Sequence, residues 1–369
     1  MMGDTPRPSR RAYIDLLRGI AVLVMVLAHT SDAWTAAADR RTRAYRLAIL
    51  IGGIGAPAFL FLAGLTQSLA GGAGLRRGLS SRAAGLRAFR RGLQIFGLAF
   101  LFQLQSWVIS GGDFWRKLTR VDILHVMGLG MCLGALLWTC RKSSVRGTVL
   151  AVSGIIVSLV TPLVVTSALW SPLPDPVEFY LRPVPGRAIF SLFPWVGFFL
   201  IGGAFGVWLD KTTASVEEER RVVRSFMWLG LAIALGGYVA SLFPSIYSSA
   251  RFWTSSPTFF FIRIGILLSG LSLAFRWGTT STVARTLSVL GTSSLFVYWI
   301  HVEMVYGVPS LKLHHALTLA QGLAGYVVLC LGLTWLVLAK QRWTRARAEG
   351  RRVMRRIEPT RATHSMPNG

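Results

Sequence analysis

Apolar stretches of about 20 residues recur along nearly the whole chain and constrain its fold more than any other feature. As an α-helix, a stretch of this length spans the roughly 30 Å hydrocarbon core of a bilayer. Hydrophobic residues make up 53% of the 369 residues and charged residues only 15%, well below the roughly 25% typical of soluble proteins. The sequence therefore predicts an all-α polytopic membrane protein with about ten transmembrane helices in one bundle.

The predicted spans are separated by polar or basic loops, and Gly, Pro and Ser within several of them predict kinks. They cover residues 12–34, 47–70, 92–110, 121–140, 147–168, 188–209, 226–242, 258–277, 287–308 and 317–339. Residues 12–339 thus form one transmembrane domain, between an N-terminal segment, 1–11, and a basic tail, 340–369.

The net charge of +25 would suggest nucleic-acid binding if it lay on a soluble surface, but it lies in the loops. With the N-terminus placed inside and residues at span ends assigned to the nearest loop, the six inner segments contain 27 of the 40 Lys and Arg residues and the five outer loops contain 12; Arg18, inside the first span, is the remaining one. The positive-inside rule then places both termini in the cytoplasm. The basic tail is expected to lie near anionic lipid, and we predict no nucleic-acid partner.

Two connections differ from ordinary loops in composition. Residues 170–187, predicted to lie outside, contain five prolines, so they form either a lid over the outer face or an irregular linker. The inner run Glu217 to Arg221 is expected to be a solvated helical turn. The three cysteines, Cys132, Cys140 and Cys330, have no metal-ligand spacing, so we predict neither a disulfide nor a metal site.

Ionisable side chains inside spanning helices are costly, so they usually face the protein interior or a water-filled cavity. In the first span, Asp15, Arg18, His29 and Asp32 fall along one helix stripe. The eleven residues from Arg18 to His29 give about 1,100° of rotation and about 16 Å of rise. One face therefore offers a cation towards the cytoplasm and an imidazole towards the outside. The alternative is that Arg18 pairs locally with Asp15 and that His29 is a packing histidine.

Two further histidines are predicted in the outer half of the membrane. His125 follows Asp122 by one helical turn, and His301 shares a helix face with Tyr298. Arg187 and Arg263 add positive charge at the same level. Such a cavity suits proton transfer to or from a sugar hydroxyl or amine, because imidazole titrates near neutral pH. It would also suit a proton-coupled small-molecule transporter.

Residues 11–29, RAYIDLLRGIAVLVMVLAH, and 55–64, GAPAFLFLAG, carry the motifs that connect the chain to a known group. They resemble the first two helices of the transmembrane acyltransferases, in which an arginine is followed after ten residues by a histidine. The pattern is most similar to bacterial relatives of heparan-α-glucosaminide N-acetyltransferase, and it is related to the acyltransferase-3 family. Supporting stretches are residues 87–91, 123–128, 193–197 and 290–301.

The resemblance implies a multi-pass enzyme of the bacterial cytoplasmic membrane. It would transfer an acetyl or other short acyl group from acetyl-CoA or another cytoplasmic acyl-CoA to a glycan or related acceptor on the far side, without a metal. The acceptor, O- versus N-transfer, and the oligomeric state, including a homo-oligomer, stay open. The transporter is the alternative, although we find no inverted repeat in the sequence that would favour it.

The resemblance also assigns roles to residues. His29 would act as general base on the acceptor or carry the acyl group itself, and Asp32 would orient its imidazole. His125 and His301 are alternative catalytic residues. The expected contacts to the donor phosphates are Arg18, Arg87, Arg90 and Arg91, and those to the acceptor are Asp122, Arg187, Arg263 and Tyr298.

The membrane topology predicted from the charge distribution can be tested with reporter fusions. A reporter active only in the periplasm should be silent when fused after Ala339 and active when fused within residues 170–187. Periplasmic activity after Ala339 would contradict the predicted orientation.

Overall fold

The computed structural model describes residues 11–139, 142, 144–188, 190–212, 215–248, 250–278 and 280–362, with side chains as far as residue 347. The N-terminal segment 1–10, Cys140 and the far tail lie outside the described residues. Three 3₁₀ turns occur at Asp39–Arg41, Ala168–Trp170 and Val308–Leu313. The α-helices are α1 (Ala12–Trp34), α2 (Arg43–Gly52), α3 (Gly55–Arg76), α4 (Ser81–Ser110), α5 (Phe114–Leu118), α6 (Ile123–Thr139), α7 (Arg146–Thr166), α8 (Asp175–Leu181), α9 (Leu192–Asp210), α10 (Val216–Ser241), α11 (Pro257–Trp277), α12 (Thr282–Thr292), α13 (Ser294–Tyr306) and α14 (Leu319–Ala362).

The predicted all-α membrane bundle is confirmed. Within the described part of the chain, eight helical segments are long and apolar enough to cross a membrane, and the bent pair α12–α13 makes nine. Helix α6 is also apolar, and its 17 residues reach the lower end of the length range for a span. These segments correspond one to one with the ten spans expected from hydropathy.

Two spans that hydropathy predicts as continuous are broken. The span at 47–70 is divided into α2 and α3 around Gly53 and Ile54, and its helical segment extends over Arg43–Arg76. The span at 287–308 is divided at Ser293, where α12 and α13 meet at 81°. A break inside a bilayer leaves backbone groups without helical partners, so it is tolerated only where protein or a cavity surrounds it.

Glycines set the distance between α3 and α9 at the centre of the bundle. A Cβ atom on Gly202 would lie 1.9 Å from the carbonyl oxygen of Phe61, and one on Gly64 would lie 1.9 Å from that of Phe199. Small residues let membrane helices approach closely enough for dispersion contacts, because lipid offers no hydrophobic drive for helix association. Phe61, Phe198 and Phe199 are fully buried around this seam.

Helix α1 lies at a second seam, where it contacts α2, α3, α11, α12, α13 and α14. Gly19 and Gly291 allow close approach of α1 and α12, because a Cβ on either would lie 1.9 Å from a carbonyl oxygen of the other helix. Further along α1, Trp34 donates its indole N–H to the carbonyl oxygen of Val305 at 3.2 Å. Helix α13 therefore runs alongside the second half of α1.

We call the face where α1 begins the start face and the opposite one the end face. At the start face, the Glu219 carboxylate accepts from Arg11 at 2.8 Å and from the Tyr13 hydroxyl at 2.6 Å. Arg76 pairs with Asp210 at 2.8 Å. The interpretation of Glu217 to Arg221 as a purely solvated turn is therefore wrong, because Glu219 joins the first turns of α10 to α1.

The glycine seam predicts a large difference between two Gly→Ala substitutions. Gly202→Ala should lower the thermal unfolding temperature in detergent, since overpacking of a tight interior costs about 1–3 kcal/mol. Gly236→Ala on α10 is the control, because a Cβ there meets nothing within 4 Å. Equal unfolding temperatures for the two variants would contradict the close packing of α3 against α9.

Candidate active site

Two histidines from opposite ends of the sequence meet near the end face. Nδ1 of His29 on α1 lies 2.9 Å from Nε2 of His301 on α13. Their rings are parallel within 1°, with centroids 5.1 Å apart. His301 is fully buried, whereas His29 is only partly buried. His29 thus contacts one of the two further histidines that the sequence places in the outer half of the membrane.

The neighbouring carbonyl fixes where the protons of this pair lie. Nδ1 of His301 is 2.9 Å from the carbonyl oxygen of Val297, which can only accept, so this nitrogen carries the proton. In a neutral ring, Nε2 of His301 then has a lone pair and accepts the Nδ1–H of His29. This assignment leaves the lone pair of His29 on Nε2, free to take a proton or attack a carbonyl carbon.

Asp32 does not occupy the place expected for a carboxylate that orients His29. It is exposed, and its Oδ2 accepts from the Tyr306 hydroxyl at 3.2 Å. The Tyr306 ring packs edge-on against His29, with centroids 5.5 Å apart. Asp32 therefore reaches His29 through Tyr306, because α1 ends two residues later and the side chain turns to the surface.

Tyr298 extends the site from the histidine pair towards α4. Its ring lies 5.7 Å from that of His301 and 5.6 Å from that of Phe102, measured between centroids. The adjacent Trp299 donates its indole N–H to Oε1 of Gln105 at 2.6 Å. Helix α13 is thus held against α4 immediately before His301.

Asp122 and His125 form a second pair at the start of α6. Oδ1 of Asp122 lies 2.8 Å from Nδ1 of His125 and accepts the backbone N–H of Leu124 at 2.9 Å. Its Oδ2 accepts the side-chain amide of Gln103 at 3.1 Å. The carboxylate therefore caps the helix and orients the imidazole at the same time.

The proline-rich connection covers His125. The rings of Tyr180 in α8 and of Phe96 and Phe100 in α4 lie edge-on to the imidazole, with centroids 4.7–6.1 Å away. Burial and the nearby Asp122 raise the pKa of the Tyr180 phenol well above its ordinary value, so this phenol stays protonated. The contact with His125 fits the lid interpretation of residues 170–187 better than that of an irregular linker.

The two outer arginines have different surroundings. The carbonyl oxygen of Arg187 accepts the N–H of Val121 at 2.9 Å, and its guanidinium lies 5.7 Å from the Phe179 ring. The guanidinium of Arg263 lies 3.9 Å from the Phe259 ring and 6.0 Å from the Trp195 ring, and its buried Nε has no hydrogen-bond partner among the described residues. Both guanidiniums lie against aromatic rings, and that of Arg263 also reaches the α2–α3 break, where a Cβ on Gly53 would lie 3.7 Å from its terminal nitrogen.

The four arginines expected to hold donor phosphates have different surroundings. Arg18 donates to Oδ1 of Asp15 and to Oγ1 of Thr66, both at 3.4 Å, as the local-pairing alternative predicts. Arg87 and Arg90 are exposed on α4. Arg91 lines a groove of about 510 Å³ between α4 and α14, which we call the α4–α14 groove; its other lining residues are Leu98, Thr292, Ser293, Ser294, Leu295, Phe296, Trp299 and Lys340.

Sequence reasoning did not find several residues around these features. Gln103 and Gln105 bond to the neighbours of the two histidines, and Lys340 lies in the α4–α14 groove. A glutamine inside an apolar span is a signal that could have found the first two. The sequence around Lys340 gives no such signal, because the place of Lys340 in the groove depends on which helix α14 faces.

With this geometry in place, comparison with known proteins identifies the family. The family profile described as "Heparan-alpha-glucosaminide N-acetyltransferase, catalytic" matches residues 10–241, more than half of the chain. The chain belongs to this family. A search of curated proteins found no match. The match confirms the resemblance inferred from the first two spans and makes the chain a member of a membrane acetyltransferase family.

The matched segment includes His29, Asp122 and His125 but ends before α11. His301, Tyr298 and much of the α4–α14 groove therefore come from helices outside it. The His29–His301 contact joins the matched segment to these C-terminal helices.

The proton assignment predicts a specific NMR signature. In ¹⁵N-histidine-labelled protein, both His29 and His301 should be protonated at Nδ1 and unprotonated at Nε2 when neutral. The signals can be assigned with His29→Asn and His301→Asn. Protonation of His29 at Nε2 in the resting protein would contradict the assignment.

Proposed function

We propose that the chain transfers an acetyl or other short acyl group from acetyl-CoA or another acyl-CoA to a glycan or related acceptor. The observation that carries this proposal is the contact of His29 with His301 inside a member of a membrane acetyltransferase family. Nε2 of His29 is the proposed reactive atom, and His301 is a positioning residue. The reaction needs no metal in this scheme.

In the proposed reaction, Nε2 of His29 removes a proton from the acceptor hydroxyl or amine as its oxygen or nitrogen attacks the thioester carbonyl. The tetrahedral intermediate then expels the CoA thiolate, and the proton on Nε2 passes to the sulfur. During this cycle His29 is briefly an imidazolium, whose Nδ1–H bond to His301 strengthens because one partner is charged. A covalent variant, in which Nε2 takes the acyl group first, uses the same nitrogen.

The proposed orientation follows from charge. The start face carries the basic loops, so it is assigned to the cytoplasm of a bacterial cell, with the lipid bilayer around the bundle and both termini inside. His29 and His301 then lie in the outer half, where a glycan acceptor would arrive. Asp122, Arg187, Arg263 and Tyr298 remain proposed acceptor contacts, while His125 remains the alternative base because Asp122 orients it.

A proton-coupled transporter is the second candidate. It is favoured by two ionisable pairs inside the bundle, His29 with His301 and Asp122 with His125. The two functions separate in one measurement, because a purified transporter in detergent has no reason to consume acyl-CoA thioester, whereas an acyltransferase does so when an acceptor is present.

Removal of the proposed base should affect turnover rather than donor binding. His29→Ala should lower acyl transfer by about 10²-fold or more, since general-base assistance is typically that large, with acyl-CoA affinity close to that of the wild type. His315→Asn is the control, because His315 is exposed and its positive φ of 53° suits asparagine. Normal turnover by folded His29→Ala protein would eliminate this residue and direct attention to His125.

The positioning role of His301 has its own test. His301→Gln keeps an oxygen that can accept the Nδ1–H of His29, whereas His301→Leu does not. Turnover should therefore decrease in the order wild type, His301→Gln, His301→Leu, and the pH profile of kcat should change most in the leucine variant. Equal losses in both variants, with an unchanged profile, would indicate a packing role only.

A further inference from the structure

The α4–α14 groove is a cavity of about 510 Å³ at the break between α12 and α13. Arg91 on α4 and Lys340 on α14 contribute its two cationic side chains. Both residues adjoin the ends of apolar segments, which places them where α4 and α14 leave the hydrocarbon region. The groove is therefore at the level where a water-soluble anion could reach the bundle from the start face.

The chemistry of the lining favours a polyanion. Among the described residues, those that line the groove include no Asp or Glu, while Thr292, Ser293 and Ser294 supply hydroxyls. The first residues of the 13-residue helix α13 also line it, and its N-cap Ser293 makes no side-chain capping bond. Free N–H groups at a helix start add to the two cations in attracting negative charge.

The two cations are only weakly engaged within the protein. Arg91 donates to Oε1 of Gln94 at 3.3 Å, and Nζ of Lys340 lies 4.1 Å from the centroid of the Phe296 ring. Arg18, by contrast, already has Asp15 and Thr66 as partners. Arg91 and Lys340 are consequently better placed than Arg18 to bind an external phosphate.

We infer that the α4–α14 groove binds the phosphates of the acyl-CoA donor, with Arg91, Lys340 and the start of α13 as the contacts. The inference rests on the proposed function. His301 follows Ser294 by seven residues, about 10 Å of helical rise, so a pantetheine arm laid along α13 leads from the groove towards His29. Trp299, which lines the groove and is held by Gln105, lies on this path.

The phosphate of an inner-leaflet lipid has the same chemistry, so the test compares donors with and without phosphates. Wild type, Arg91→Gln, Lys340→Gln and the double variant are reconstituted in lipid nanodiscs. KM is measured with acetyl-CoA and with S-acetyl-pantetheine, which lacks the phosphates, and CoA binding is measured by calorimetry. The controls are Arg82→Gln and Arg342→Gln, exposed residues on the same two helices.

The double variant should weaken CoA binding and raise the KM for acetyl-CoA by about tenfold or more, because each charge-assisted contact is a strong one. Its KM for S-acetyl-pantetheine should equal that of the wild type, and both controls should match the wild type with both donors. Arg91→Lys and Lys340→Arg should restore much of the affinity, which separates charge from misfolding.

Three results would overturn the inference. They are unchanged CoA affinity in the double variant, equal loss with both donors, or loss of co-purifying anionic lipid while CoA affinity is retained. The third result would assign the groove to a lipid headgroup. Failure of the proposed function looks different: the wild type would bind CoA in a manner dependent on Arg91 and Lys340 yet transfer no acyl group to any acceptor.

Discussion

The break between α12 and α13 is the constraint on which the rest of the site depends. Before the break, Gly291 packs against the backbone of α1 at Asp15 and Gly19, which fixes α12. After it, the chain turns by 81°, and Val297, His301 and Val305 follow α1 towards the end face. Helix α13 can bring His301 to His29 only from this new direction.

The same break creates polar backbone inside an apolar bundle. The N–H of Ser293 bonds to the carbonyl oxygen of Leu290, and that of Val297 bonds to the carbonyl oxygen of Ser293, both at 3.0 Å. The intervening residues, 294–296, line the α4–α14 groove. Non-helical backbone at membrane depth is tolerated only where protein or a cavity surrounds it. The groove therefore provides the surroundings that the break between α12 and α13 requires.

The two histidines are unequal partners, which decides the roles that they can have. His301 is enclosed and both of its nitrogens are engaged, one by Val297 and one by His29. His29 is only partly buried and has one nitrogen without a partner in this pair. In the proposed reaction, the lone pair on Nε2 of His29 is therefore the one that meets substrate, while His301 holds that ring and shares its positive charge during a proton transfer.

Hydropathy predicted the helices well because it is a local property of the sequence. The stripe from Asp15 to Asp32 was also visible, since helical spacing alone defines it. The pairing of His29 with His301 was not, because 272 residues separate them and their approach depends on the bend at Ser293. Asp32 shares the stripe with His29 but lies at the helix end, where its carboxylate accepts a hydrogen bond from the Tyr306 hydroxyl.

Charge placement was less predictable than span placement. Arg18 satisfies its charge locally with Asp15, whereas Glu219, which looked solvated, joins Arg11 and Tyr13 at the start face. In both cases the partner depends on which helices are neighbours, and sequence spacing does not contain that information. Lys340 likewise lies in the groove only because α14 faces α4 across it.

The extent of the family match bears on how the site is built. The matched segment, residues 10–241, supplies His29 and Arg91, while α13 and α14 supply His301 and Lys340. The histidine pair and the groove thus both lie across the seam where α1 and α4 meet the C-terminal helices. Gly19 and Gly291 keep α1 and α12 at backbone contact distance within this seam. A small separation of these two helices would lengthen the His29–His301 distance and widen the groove. Because the proposed site takes residues from both sides of the seam, the proposed reaction requires α1 to be packed against α12.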